Sequence, residues 1–129
     1  MKMRSAVLSV VALAILALAA SSAPAATAFH LKLDKSAPEA DQVLDASPEK
    51  IVLEFSEMPE LAVSRISLKG SAGDAKLSDV ARNEEDETIL WVAVEEPLAD
   101  GVYTVNWTTS SGDGHPIRGE FSFTVNTAH

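Results

Sequence analysis

The chain has 129 residues, 19 of them acidic and 10 basic, and a net charge of −9. That balance argues against nucleic acid or anionic lipid as a partner, since both are recognised through a basic patch. There is no cysteine, so disulfides and thiolate ligands are ruled out and a metal would rest on nitrogen, oxygen or methionine sulfur. Residues 1–28 read as a secretory signal. Lys2 and Arg4 give a positive start, residues 6–20 are apolar apart from Ser9, and Ala26-Thr27-Ala28 is a small-x-small cleavage site. The apolar run falls short of the roughly 20 residues that span a bilayer, although an uncleaved anchor is the other reading of the same stretch. Residues 29–129 then form one domain of common size. Loss of Lys2 and Arg4 leaves eight basic residues against 19 acidic, a charge of −11.

The first strand is expected in residues 30–35, HLKLDK, with Leu31 and Leu33 on one face. A turn-rich link runs from Ser36-Ala37-Pro38 to Pro48. Ile51, Leu53 and Phe55 alternate with Val52, Glu54 and Ser56, which gives a second strand with one apolar face, broken by Met58-Pro59-Glu60. Residues 65–69 predict a third strand, 70–74 a loop and 76–82 a fourth strand. Residues 88–94, TILWVAV, are apolar on both faces and predict a central strand. The run Glu84-Glu85-Asp86-Glu87 reads as a solvated turn, without the ligand geometry of a hard-cation site. Residues 101–109 place Tyr103, Val105 and Trp107 on one face, and Phe121, Phe123 and Val125 mark the last strand. About seven short strands and no helix after the leader predict an all-β, immunoglobulin-like Greek-key sandwich or barrel. Trp91, Trp107, Phe55, Phe121 and Phe123 are the expected core.

Between the last two strands lies a polar loop within WTTSSGDGHPIRGEFSFTV, residues 107–125. It carries Asp113 and His115 one residue apart, a carboxylate oxygen and an imidazole nitrogen for a metal. Gly112 and Gly114 permit backbone angles other residues resist, and Pro116 fixes φ just after the histidine. From the loop alone, a hairpin turn with an incidental histidine is an equal reading, because Asp-Gly is common in turns. The chain has three histidines, His30, His115 and His129, the last at the tail.

Four stretches in order resemble the copper-resistance protein CopC family. They are His30-Leu-Lys-Leu with Ser36-Ala-Pro38, then Lys50-Ile-Val-Leu-Glu-Phe-Ser-Glu57, then Pro97-Leu-Ala-Asp-Gly-Val-Tyr-Thr-Val-Asn-Trp107, and the loop with Asp113, His115-Pro116, Gly119, Phe121 and Phe123. The resemblance covers nearly all of the chain after Ala28. It implies a periplasmic copper carrier with an immunoglobulin-like barrel and a Cu(II) site made by His30, Asp113, His115 and Glu57. It also implies a membrane copper transporter of the CopD type as partner. The methionine-rich Cu(I) site of some members is missing, since only Met58 remains after the leader.

Nitrogen and oxygen donors in a near-planar arrangement suit Cu(II), and the Irving–Williams order favours it over Zn(II). The α-amine and imidazole of His30 would give two nitrogens, His115 a third and Asp113 an oxygen, with Glu57 axial or in an outer role. Cutting after Ala28 leaves Phe29 first and His30 second, which would change that geometry; cutting after Phe29 would expose His30. Three function classes follow: a copper carrier, a copper monooxygenase that uses an N-terminal histidine, and a metal-free adhesion module. The carrier is the first reading. Asp113 and Glu57 would fill positions an oxygen-activating enzyme keeps open, and no Ser-His-Asp set, phosphate loop or small-molecule substrate site is evident.

Overall fold

The computed structural model describes residues 31–128. Nine strands are present there: β1 (Leu33–Ala37), β2 (Val43–Leu44), β3 (Lys50–Phe55), β4 (Arg65–Gly70), β5 (Gly73–Asp74), β6 (Ala81–Arg82), β7 (Ile89–Ala93), β8 (Gly101–Ser110) and β9 (Pro116–Val125). They form a four-stranded sheet in the order β1-β3-β7-β6 and a five-stranded sheet in the order β2-β9-β8-β4-β5. The chain changes sheets after β1, β2, β3, β5 and β7, crossing repeatedly between the layers as a Greek-key sandwich does. Every ladder is antiparallel except the short β2–β9 pairing.

Period-2 alternation builds the core. Ile51, Leu53 and Phe55 of β3 and Leu90 and Val92 of β7 turn inward from one sheet. Leu68, Val105, Trp107, Phe123 and Val125 meet them from the other, all buried. Phe55 and Trp107 join the sheets edge to face, with ring centroids 5.3 Å apart. Such a pair contributes about 0.5–1.5 kcal/mol beyond the area it buries.

Several expected elements come out differently. Trp91 is not in the core: it lies on the outer face of β7, half-buried, with Lys50 Nζ 4.3 Å from its ring. β7 does lie between two strands, but an antiparallel sheet in a sandwich has one face on the core and one toward water. The second apolar face of TILWVAV is therefore a lightly covered surface. Phe121 is half-buried at the core's margin. Of the strand expected over 76–82 only Ala81–Arg82 forms, while Leu77 makes a lone bridge to Val94. The 36–48 link contains β2, and 70–74 closes as a small hairpin between β4 and β5. β1 begins at Leu33, with an irregular register between Leu33 and Lys35. His30 and His129, with the leader, lie outside the described residues.

Candidate metal centre

The β8–β9 ladder runs unbroken for ten pairs, from Gly101 opposite Val125 to Ser110 opposite Pro116. Residues 111–115 therefore stand at the tip of a long, stiff hairpin. Pro116 opens β9, a position where a strand tolerates a residue without an N–H. The left-handed turn falls to Gly114 alone, at φ 81°; Gly112 needs no special angle.

Within this loop Asp113 folds back on its neighbours. Its Oδ1 accepts from Ser111 Oγ at 2.8 Å and from the His115 backbone N–H at 2.9 Å, and its Oδ2 faces His115 Nδ1 at 3.4 Å. The backbone N–H of His115 first, then the Ser111 hydroxyl and the His115 ring, hold the Asp113 carboxyl at a pKa of about 2. Each stabilises the ionised form, so the carboxylate is available as a donor at any ordinary pH. The two side chains are 60% and 86% exposed. His115 Nδ1 and Asp113 Oδ2 thus face each other, a nitrogen and an oxygen donor set side by side on the loop.

Of the other expected donors, Glu57 follows β3 and His30 lies outside the described residues. Ser56, just past β3, donates its backbone N–H to Lys32 O at 2.8 Å, and Lys32 N–H returns to Ser56 Oγ at 3.0 Å. The chain two residues after His30 is thus fastened beside the residue preceding Glu57. Glu57 is half-buried, and Met58 beside it is exposed. The Glu60 backbone N–H donates to Ser110 O at 2.8 Å, which ties this crossover to the root of the loop. Asp113 and His115 are brought together. Glu57 does not join them in a ligand cluster: among the described residues no group of three or more His, Asp or Glu is arranged to hold a metal. The pair supplies one nitrogen and one oxygen, which suits a Cu(II) site only if further donors come from elsewhere, such as the segment of His30.

Sequence reasoning missed the support beneath the loop. Ser64, Thr109 and Ser110 are the buried polar residues of the described chain, and they sit together there. Ser64 Oγ donates to Glu60 O at 2.6 Å, so the hydroxyl of Thr109, also 2.6 Å away, must donate to Ser64. Arg82 reaches over from β6 and donates Nη2–H to Pro59 O at 2.6 Å. The available signal was weak: a hydroxyl residue, Thr109, in step with the inward Val105 and Trp107 of β8.

Comparison with known proteins identifies the family and the fold. A family model described as the CopC domain matches residues 33–126. Copper resistance protein C of Escherichia coli is 36% identical over 104 residues, covering 74% of this chain and 81% of that protein. Copper transport protein CutJ of Bacillus subtilis is 30% identical over 106 residues, covering 81% of this chain but 20% of CutJ. Among solved structures, PcoC, a methionine-rich copper resistance protein from Escherichia coli, matches with a TM-score of 0.68 at 35% identity, over 75% of this chain and 99% of that one.

Proposed function

The chain belongs to the CopC family, and on that premise we propose that it is an exported Cu(II) carrier. Copper handling is what its named relatives share. The observation that carries the reading is the preset Asp113–His115 pair: an ionised carboxylate and an oriented imidazole, both exposed, on a stiff hairpin. His30 and Glu57 complete the proposed donor set, with Glu57 axial or outside the ligand sphere. Exposure suits an ion that is cargo, because a ligand entering from a partner can reach it without unfolding the site.

The donor set favours Cu(II) over Cu(I). PcoC is described as methionine-rich, whereas Met58 is the lone methionine after the proposed leader. Soft thioethers select Cu(I), and imidazole with carboxylate suits Cu(II). Binding weakens in acid as the imidazoles and amine take up protons. Residues 1–28 would direct export to the periplasm and 29–129 would form the carrier. Delivery to a CopD-type membrane transporter is supported by CutJ, a copper transport protein in which the matching stretch is one part of a longer chain.

Intact mass of the exported protein with and without Cu(II) tests this reading, alongside competition titrations with both oxidation states. One Cu(II) per chain, weak Cu(I) retention and little peroxide production with a reductant are expected. Equal or tighter Cu(I) binding refutes the donor assignment, and rapid reductant-dependent turnover refutes the carrier in favour of a monooxygenase.

A further inference from the structure

Arg82 sits at the edge of the four-stranded sheet, opposite Leu90 and so on the core-facing side of β6. It crosses the open seam of the sandwich to the segment linking β3 and β4. There its Nη2–H meets the carbonyl of the fully buried Pro59 at 2.6 Å. Its Nε–H is buried with no hydrogen-bond partner, and among the described residues no carboxylate lies within ion-pair distance of it. Arg82 is half-buried as a residue, and leaving its buried Nε–H unpaired is unfavourable. A methionine or leucine would fill the same space without that cost, so packing alone does not account for an arginine here. What the arginine provides, and methionine or leucine cannot, is a donor that reaches Pro59 O.

The bond matters because of what hangs from Pro59. The next residue, Glu60, donates its N–H to Ser110 O at 2.8 Å and accepts from Ser64 Oγ at 2.6 Å, and Ser64 holds Thr109. Pro59 is thereby anchored to one sheet and Glu60 to the end of the other. Glu57 lies two residues before this bridge, and the Asp113–His115 loop starts one residue after Ser110. We propose that Arg82 is a positioning residue for the copper site, setting the separation between the Glu57 segment and the Asp113–His115 loop; this rests on the Cu(II) reading above. No ligand role is assigned to Arg82.

The test compares wild type, Arg82→Met and Arg82→Lys by Cu(II) electron paramagnetic resonance, Cu(II) affinity and exchange of the Glu60 amide proton. Arg82→Met is expected to shift the parallel hyperfine splitting, weaken Cu(II) binding by about ten- to a hundredfold and speed Glu60 exchange. Arg82→Lys keeps a donor for Pro59 O and restores the wild-type spectrum. A folded Arg82→Met protein with the wild-type spectrum and affinity overturns the proposal, even if its Tm is lower. If Arg82→Met does not fold, Arg82→Gln, too short to reach Pro59, replaces it: an altered spectrum supports the proposal and an unchanged one overturns it. A wild-type protein with no bound Cu(II) signal overturns the copper reading itself, and this inference with it.

Discussion

Gly119→Ala isolates one steric requirement of the hairpin that carries the loop. Gly119 in β9 lies directly opposite Trp107 in β8. A Cβ there would stand 2.5 Å from Trp107 Cζ2, 2.7 Å from Cε2 and 3.0 Å from Nε1. The indole is 9% exposed and packs edge to face with the buried Phe55 ring at a centroid distance of 5.3 Å. Neither ring is a flexible chain end, so the methyl must push β9 away from β8 or the indole into Phe55. Overpacking of this kind costs about 1–3 kcal/mol. Against it stands the lower unfolded-chain entropy of alanine, about 0.4–1 kcal/mol at a site with an ordinary backbone. The net is a loss of about 1–2 kcal/mol, or about 4–16 °C in Tm for a domain of this size. Thermal unfolding followed by tryptophan emission measures it. Gly112→Ala is the control, since a Cβ there meets nothing within 4 Å and its effect stays within about 0.5 kcal/mol. A Gly119→Ala protein as stable as wild type would show that the indole has room to move and that the close approach does not constrain the hairpin.

Asp113 gives a pH prediction. Its carboxyl titrates at about 2 in the fold against an ordinary 3.8. The stability it contributes is therefore present above pH 3.8 and is lost as pH falls from there through about 2. Carboxyl-carbon NMR of Ser111→Ala should show the Asp113 midpoint moving up, because one of its hydrogen bonds is gone; an unmoved midpoint contradicts the hydrogen-bond account. Among the proposed ligands, His115→Ala should lose the most Cu(II) affinity, Asp113→Ala less because water replaces an oxygen donor, and Glu57→Ala least. Copper-free stability should change by no more than about 0.5 kcal/mol for His115→Ala, whereas Asp113→Ala also gives up the hydrogen bonds that Asp113 accepts within the loop. Unchanged Cu(II) binding in His115→Ala would place the site elsewhere.

The sequence by itself determined the strands whose side chains alternate strongly. Ile51, Leu53 and Phe55 alternate inward as their spacing requires, and Val105 and Trp107 do the same in β8. It also placed Asp113 and His115 in the loop between the last two long strands, because turn chemistry and hairpin pairing act over a few residues. Only the tertiary structure decided which apolar face is covered. Trp91 and Leu90 are equally apolar neighbours in β7, yet the second sheet packs against Leu90 and leaves Trp91 to Lys50. The support beneath the loop was equally invisible. Ser64 and Thr109 are separated by 45 residues, and Arg82 and Pro59 by 23. No periodicity links such pairs: a hydroxyl or guanidinium becomes a fastening only when the stacking of two sheets brings its partner within hydrogen-bond reach.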